Sequence, residues 1–295
     1  MLTVFLQFLF SGLTVGSVYA LVGMGFNIIY NATSIINLAQ GEFVVIGGLL
    51  MWFFLESCKL PFLLAVALTI LSAGLVALIM ERLTIRPLKT NDLLIMIMVT
   101  VAVAIVMRGL LMFKFGKEPY SFAAFTEGDP LVIGGAVIQL QTLWVLGITG
   151  TCILALYAFF NLTIAGKAMR ACSFDPTAAS LVGIPVSRMI MFSFILSAMV
   201  GAIGGIAITP ISLMEYDKGP MLAVKGFCAA MMGGLGRGRG AVVGGLTIGV
   251  LESMTAGYIH SGLKDAVALL ILLSILFFRP AGLFGNAAMQ RLKGH

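Results

Sequence analysis

The stretch MLTVFLQFLFSGLTVGSVYALVGMGFNIIYNATSIINLAQG, residues 1–41, contains no charged side chain. About 18 consecutive apolar residues are enough to cross the ~30 Å hydrocarbon core of a bilayer as a helix. The rest of the chain is similar, since 60% of its 295 residues are hydrophobic and 10% are charged. Soluble domains are about 25% charged. The composition therefore excludes a soluble globular protein and predicts an all-α, polytopic membrane protein.

Nine apolar segments of helical length follow one another and predict about 8–9 transmembrane helices in one domain covering 1–295. They are 4–29, 35–55, 61–80, 93–113, 140–160, 189–208, 221–235, 240–259 and 261–278. The seventh differs from the others, because it is short, contains Lys225 and precedes the turn GGLGRGRG at 233–240. Irregular backbone at membrane depth needs surrounding protein or a watery cavity. This segment is therefore expected either to cross the bilayer or to re-enter it.

The basic residues of the loops predict the orientation, because cytoplasmic loops carry an excess of lysine and arginine. One set of alternate loops contains 11 basic residues and the other contains five. The first set comprises Arg82, Arg86, Lys89, Lys167, Arg170, Arg188, Arg237, Arg239, Arg279, Arg291 and Lys293, and the second comprises Lys59, Lys114, Lys117, Lys218 and Lys264. The N-terminus is therefore predicted outside and the C-terminus in the cytoplasm.

No group of residues indicates catalysis or a bound cofactor. The two histidines, His260 and His295, have no candidate nucleophile near them. The four cysteines are far apart and match no metal or redox spacing. The dipeptide Gly166-Lys167 lacks the upstream glycine and the following hydroxyl of a phosphate-binding loop. The sequence therefore predicts no enzyme, no metal site, no cofactor and no ATP binding by that route.

A long loop on the predicted cytoplasmic side, residues 161–188, contains the signals of a short helix. An aspartate suited to the N-cap and a proline suited to the first turn are followed by small residues and a glycine that can end the helix. These residues are Asp175, Pro176, Thr177, Ala178, Ala179 and Gly183. The alternative is an ordinary surface turn.

Four charged side chains are predicted to lie at membrane depth, where an unpaired charge is costly. They are Glu42, Arg108, Lys225 and Glu252. Arg108 is near the outer end of its helix and can extend to the interface. Glu42 has several polar neighbours, which are Asn27, Asn31, Asn37 and Gln40. This group is interpreted either as a lining of the inner half of a transport path or as hydrogen bonds that tie the first two helices together.

Lys225 and Glu252 lie on consecutive antiparallel helices that a short turn joins. In the predicted topology both lie in the outer half of the membrane, where opposite charges offset each other's cost. The sequence therefore predicts an ion pair between them. Two alternatives are that each charge faces water or the interface alone, and that the pair lines the substrate route.

Glycine is abundant, with 35 residues, and recurs at four-residue spacing. The repeated positions are Gly12 and Gly16, Gly236, Gly240 and Gly244, and Gly245 and Gly249. Small residues on one stripe let helix backbones approach closely in lipid. We expect tight helix packing there; the alternative is that these helices slide or bend.

Six stretches spread over nearly the whole chain form a recognisable series. They are GLTVGSVYAL (12–21), INLAQGE (36–42), ERLTIRP (81–87), GKAMRA (166–171), KGFCAAMMGGLG (225–236) and RPAGLF (279–284). In this order they resemble the inner-membrane permease subunits of the high-affinity branched-chain amino-acid ABC importers. In that family the loop corresponding to 161–188 docks on an ATPase subunit. This chain keeps Ala178, Ala179 and Gly183 of the general docking pattern, but Thr177 replaces its glutamate and the final Leu-Pro is absent.

The resemblance implies a permease subunit of an ATP-driven importer in the bacterial inner membrane. It implies as partners a second homologous permease, two cytoplasmic ATP-binding subunits and a periplasmic substrate-binding protein, and no nucleic acid. The implied cargo is branched-chain or other apolar amino acids, with urea, short amides or aromatic acids as alternatives. The rival class is a self-contained secondary transporter or channel. It would need coupling-ion sites, for which Glu42 and Glu252 are the intramembrane candidates.

Overall fold

The computed structural model describes residues 2–88, 92–279 and 282–283. The described helices are α1 (Leu2–Thr33), α2 (Gln40–Trp52), α3 (Phe62–Met80), α4 (Leu93–Phe115), α5 (Leu140–Leu162), α6 (Ile164–Phe174), α7 (Pro176–Leu181), α8 (Val186–Ile208), α9 (Gly219–Gly233), α10 (Gly238–Tyr258) and α11 (Lys264–Phe278). Turns of π-helix, Phe53–Ser57 and Glu81–Ile85, continue α2 and α3, and a 3-10 turn, Ser261–Leu263, precedes α11. Lys89, Arg291, Lys293 and the end of the motif at 279–284 lie outside the described residues.

The prediction of an all-α membrane protein is confirmed. Six of the described helices are long and apolar enough to span a bilayer, namely α1, α3 with its π-turn, α4, α5, α8 and α10. The other three predicted crossings correspond to α2, α9 and α11, which have 13, 15 and 15 residues. A 15-residue helix is only about 22 Å long. Helices of this length do not span the ~30 Å hydrocarbon core by themselves.

A short β-hairpin in the loop between α4 and α5 was not predicted. Strands β1 (Leu131–Ile133) and β2 (Ala136–Ile138) pair antiparallel. The Gln7 side chain holds the hairpin, since it donates to Val137 O at 2.9 Å and accepts from Val137 N at 2.8 Å. The start of α1 and this loop therefore lie on the same face of the molecule.

The loops divide between two opposite faces. On the face with the start of α1, Tyr120 and Met214 form a backbone bridge between the loops that follow α4 and α8. On the other face, Asn31 near the end of α1 binds Gly236 in the turn between α9 and α10. The segment from Met214 to Gly236 therefore joins the two faces, partly as irregular chain and partly as α9.

The second predicted helix begins at Gln40, so the predicted start at residue 35 is wrong. The segment before it is not helical because Ser34 has φ +58° and the Thr33 hydroxyl accepts from Ile35 N at 3.1 Å. The Asn37 side chain then accepts from Ala39 N at 3.1 Å. These local hydrogen bonds replace helical ones. α2 consequently starts deep within the protein, where Gln40 is fully buried.

The helices on either side of α5 pack in matching patterns. α1 packs against α10, α9 and α8, and α8 packs correspondingly against α3, α2 and α1. α1 and α8 run in opposite directions between the two faces. The contacts of α1 with α8, α9 and α10 thus parallel those of α8 with α1, α2 and α3 in inverted direction. Inverted repeats in transporters produce this packing pattern.

The glycine stripes lie where helix backbones meet. A Cβ placed on Gly249 of α10 would lie 2.3 Å from Gly16 Cα and 2.4 Å from Gly12 O of α1. A Cβ on Gly245 would lie 2.4 Å from Ala20 N. The expected tight packing between α1 and α10 is present at these positions. Gly240 and Gly244 instead pack against α9, and Gly236 lies in the turn before α10 rather than in a helix.

We expect Gly249→Ala to destabilise the protein, since the new methyl group has no space against α1. Overpacking of this kind costs typically ~1–3 kcal/mol. Gly150→Ala on α5 is the control, because a Cβ there meets nothing within 4 Å. The measurement is the thermal unfolding midpoint in detergent. A Gly249→Ala midpoint at or above that of Gly150→Ala would contradict the packing argument.

Candidate functional site

The short helix predicted in the loop 161–188, which we call the docking loop, is present as α7. Asp175 Oδ1 accepts from Thr177 N at 2.8 Å and from Ala178 N at 3.0 Å. Gly183 closes the turn with φ +86°, a left-handed conformation that glycine adopts readily. These caps satisfy backbone groups that a six-residue helix would otherwise leave unpaired at its ends.

α7 has one buried side and one exposed side. Ala179 is buried in a cluster with Met169 and Met189 of the flanking helices. By contrast, Leu181 is 83% exposed and Val182 is 76% exposed. The buried alanine therefore attaches α7 to the permease, and the exposed apolar residues form a tip that projects from the molecule.

Sequence reasoning missed α6, which precedes α7 in the docking loop. The Thr163 hydroxyl accepts from Gly166 N at 3.0 Å and caps α6 at its start. Arg170 of α6 donates from Nη2 to Phe160 O and, at 3.0 Å, to Asn161 Oδ1. Arginine thus binds the carbonyl end of α5, as basic residues commonly do at helix C-termini. A threonine followed by an amphipathic segment was the available signal for α6.

The polar residues that the sequence groups with Glu42 form three separate contacts. In the first, Asn27 and Asn31 of α1 hold the turn between α9 and α10. Asn27 Oδ1 accepts from Gly236 N at 2.8 Å, and Asn31 Nδ2 donates to Gly236 O at 3.0 Å. Both backbone polar groups of Gly236 are therefore held by α1, which ties α1 to the turn between α9 and α10.

The second contact joins three helices at the start of α2. Gln40 Nε2 donates to Ser197 O at 3.1 Å, and the Ser197 hydroxyl lies 2.6 Å from Gln40 Oε1. The same hydroxyl lies 2.8 Å from Gly25 O of α1. Asn37 is separate from this group, because its side chain caps the irregular segment before α2.

The third contact is an ion pair between α2 and α4. Arg108 Nε lies 3.7 Å from Glu42 Oε1, and Glu42 is 1% exposed. Neither carboxylate oxygen of Glu42 has a hydrogen-bond partner among the described residues. The N-terminus of α9 packs against this carboxylate, since a Cβ on Gly219 would lie 2.4 Å from Glu42 Cδ. Positive charge from Arg108 and the α9 dipole therefore faces Glu42.

This arrangement corrects three expectations. Glu42 does not lie in the inner half of the path, because it contacts Arg108, about 22 Å along α4 from Leu93 at ~1.5 Å per residue. Arg108 does not simply extend to the interface, since it pairs with Glu42. The polar residues also do not form one cluster between the first two helices, because they contact α4, α8 and the turn after α9 as well.

Lys225 is at the centre of a buried polar network. Its Nζ lies 2.7 Å from Glu252 Oε1 of α10 and 2.7 Å from Asp265 Oδ1 of α11. Tyr19 of α1 donates its hydroxyl to Glu252 Oε2 at 2.8 Å. Lys225 also donates to the Tyr19 hydroxyl at 3.1 Å. The predicted ion pair of Lys225 and Glu252 is therefore present.

Sequence reasoning missed the contributions of Tyr19 and Asp265. Tyr19 lay inside a motif that was noted only for its resemblance, and Asp265 stands at the start of α11, beside an exposed turn. The available signals were a tyrosine in a helix without charged residues and an aspartate at the start of an apolar helix. Their contacts bring four helices, α1, α9, α10 and α11, to one lysine.

No group of three or more histidine, cysteine, aspartate or glutamate side chains that could hold a metal ion is found within the described ranges. The residues that carry charge in the membrane are instead paired with each other.

Comparison with known proteins agrees with this architecture. Residues 8–276 match the family described as branched-chain amino acid transport system, permease component. The chain belongs to this family. It is 30% identical to the high-affinity branched-chain amino acid transport system permease protein BraD of Pseudomonas aeruginosa, over 98% of each chain. It is 28% identical to the corresponding permease protein LivH of Escherichia coli, again over 98% of each chain.

One solved structure has a related fold. PsaBC from Streptococcus pneumoniae, in complex with Fab, superimposes with a TM-score of 0.50 at 16% identity. The match covers 98% of this chain and 94% of that one. As a permease component, the chain is a multi-pass membrane protein and is not itself an enzyme.

Proposed function

We propose that this permease forms the transmembrane path of an ATP-driven importer of branched-chain or other apolar amino acids. The observation that carries the proposal is the family match over residues 8–276. The proposed complex contains a second homologous permease, two ATP-binding subunits and a periplasmic substrate-binding protein. The ATP-binding subunits hydrolyse ATP, and this chain moves the cargo across the inner membrane.

The docking loop is the proposed contact with an ATP-binding subunit. Its apolar tip, Leu181 and Val182, is exposed although it lies at the end of a capped helix. Apolar residues that project in this way are typical of the centre of a protein interface. Asp175, Pro176 and Gly183 shape the helix, whereas Thr177, Ala178, Leu181 and Val182 supply its exposed surface.

Among the candidate pathway residues, Glu42 is the one whose ion-pair partner reaches an exposed surface. Glu42 itself is buried, so the guanidinium of Arg108 is the member of the pair that a cargo carboxylate would meet. Arg108 keeps 32% of its side chain exposed. The remaining candidates, Asn27, Asn37, Gln40, Lys225 and Glu252, serve in this proposal to hold the helices together.

Affinity purification tests the proposed complex. The tagged permease, expressed with its native operon partners and extracted in detergent, is expected to retain two ATP-binding subunits and a second permease. Reconstituted with the binding protein, the complex is expected to accumulate radiolabelled leucine only when ATP is present. Leucine flux through the permease alone would instead indicate a channel or secondary transporter. Competition by urea but not by valine would indicate a different cargo.

The orientation, with the N-terminus outside, is tested by thiol labelling. Cys58 is exposed on the proposed outer face, but Cys172 is a poor inner reporter because it is buried. Burial also raises the pKa of the Cys172 thiol, and the thiolate is the reactive form. The exposed position Arg86 serves as the inner reporter instead, as Arg86→Cys in a variant that contains no other cysteine.

In intact cells an impermeant maleimide is expected to label Cys58 and to spare Arg86→Cys. After permeabilisation both positions are expected to react, which shows that the second thiol is accessible. Labelling of Arg86→Cys in intact cells, with Cys58 protected, would reverse the orientation.

A further inference from the structure

A cavity of about 610 Å³ opens beside the docking loop. Its walls are the last turns of α1 and α5, the side chain of Arg170 from α6, and the first residues of α10. It lies on the face that carries most of the basic residues, which is the proposed cytoplasmic face. None of the contacts proposed above for cargo or for the ATP-binding subunit uses it.

The polar groups of the cavity are cationic or neutral. Arg170 and Arg239 contribute two guanidinium groups, and Asn27, Asn31 and Asn161 contribute three amides. Among the described residues that line the cavity, none is acidic. A cavity with two fixed positive charges and no carboxylate favours an anion.

Several of these donors have capacity left for a ligand. Arg170 uses Nη2 for its contacts with Phe160 and Asn161, and a guanidinium has five N–H donors in all. Asn27 is 2% exposed, and its Nδ2 has no hydrogen-bond partner within the described part of the chain. A buried amide nitrogen without a partner is costly. Arg239 lies with Cζ 5.0 Å from the centre of the Tyr157 ring, which positions it at the edge of α5.

The remaining wall is apolar and faces outward. Leu154 is 69% exposed and Tyr157 is 50% exposed, and both lie on α5, one of the helices long enough to span the membrane. In a bilayer such exposed apolar side chains are available to acyl chains. The cavity therefore has a cationic end near the proposed cytoplasmic surface and an exposed apolar side along α5.

We propose that this cavity binds the phosphate headgroup of an anionic phospholipid of the inner leaflet. Basic pockets between transmembrane helices on the cytoplasmic side suit such headgroups. The lipid phosphate contacts Arg170 and Arg239, and the acyl chains lie along α5. Because Arg170 is part of α6, a bound lipid braces the helix that leads into α7. The inference uses the proposed orientation but not the identity of the cargo.

The test is a titration of the purified complex of permease and ATP-binding subunits with phosphatidylglycerol, with phosphatidylcholine as the neutral lipid. Native mass spectrometry counts the lipid molecules retained. Arg239→Gln is expected to weaken phosphatidylglycerol retention by roughly tenfold, since it removes a charged hydrogen-bond donor. Arg86→Gln is the matched control, because Arg86 is also exposed and on the same face but does not line the cavity.

Four outcomes decide the proposal. Selective loss of phosphatidylglycerol in Arg239→Gln, with ATP-binding subunits still attached, supports it. Equal retention in Arg239→Gln and Arg86→Gln overturns it. Displacement of the lipid by millimolar inorganic phosphate, together with binding of phosphate alone, assigns the site to free phosphate and overturns the proposal of a lipid site. Loss of ATP-binding subunits in Arg239→Gln without a change in lipid retention assigns Arg239 to a protein contact and also overturns the proposal.

Discussion

Replacing Lys225 with methionine is expected to abolish assembly of the permease. The substitution leaves Glu252 and Asp265 facing each other without the cation that lies 2.7 Å from each. Breaking a buried ion pair by removing one partner costs ~3–5 kcal/mol. That is a large part of the stability of a typical domain, about 5–15 kcal/mol. The measurement is the yield of monodisperse protein by size-exclusion chromatography after detergent extraction.

The matched control is Lys218→Met. Lys218 pairs with Glu215 at 3.6 Å, but both side chains are 35% exposed. Exposed pairs contribute only ~0–1 kcal/mol, so this variant is expected to assemble normally. Equal yields from Lys218→Met and Lys225→Met would contradict a structural role for the buried network.

A charge exchange tests whether Lys225 and Glu252 act as a pair. Lys225→Glu and Glu252→Lys are each expected to lose assembly, and the double exchange is expected to recover part of it. The recovery is partial, because Asp265 and Tyr19 were positioned for the original arrangement. If the double variant loses as much as the two single variants combined, the residues are not coupled.

Val182→Asp is expected to uncouple the permease from its ATP-binding subunit while leaving it folded. Val182 is 76% exposed, so the change affects no internal packing, and it places a charge in the proposed apolar interface. Loss of a central interface residue costs ~2 kcal/mol or more, which is roughly a thirtyfold loss of affinity. Co-purified ATP-binding subunit and leucine uptake are the two measurements.

Val132→Asp is the control, since Val132 is 66% exposed on the opposite face, in β1. It is expected to retain the ATP-binding subunit fully. Ala179→Arg is not a clean test, because Ala179 is buried among Met169 and Met189 and the arginine would disrupt the permease itself. Undiminished subunit binding by Val182→Asp would refute docking through the tip of α7.

Helices with a continuous apolar stretch were predictable, because in lipid the backbone must satisfy its own hydrogen bonds and apolar length alone selects the spans. The long helices α4, α5 and α8 therefore begin or end within a few residues of their predicted bounds. The cap residues Asp175 and Gly183 also predicted α7 correctly, since capping depends on neighbours in the chain. The proposed orientation rests on the same local kind of signal, the basic residues of the loops.

Only the tertiary structure placed the polar groups of the membrane. Glu42 and Arg108 are far apart in sequence, and their contact depends on the start of α2 being moved to Gln40 by the local hydrogen bonds of Thr33 and Asn37. Apolar composition carries no information on such a break, because isoleucine and leucine are found on both sides of it.

The sequence by itself determined that the chain is a bundle of apolar helices, that α7 is capped by Asp175 and Gly183, and which family the chain resembles. The three-dimensional packing decided which charges meet and that side chains from α1, α10 and α11 contact Lys225 of α9. It also decided that α1 and α8 pack against matching sets of helices in inverted direction. The physical reason is the range of the interactions. Hydrophobic length and capping act within one or two turns, whereas pairing of charges and close packing of glycines require helices that are distant in the chain to lie side by side.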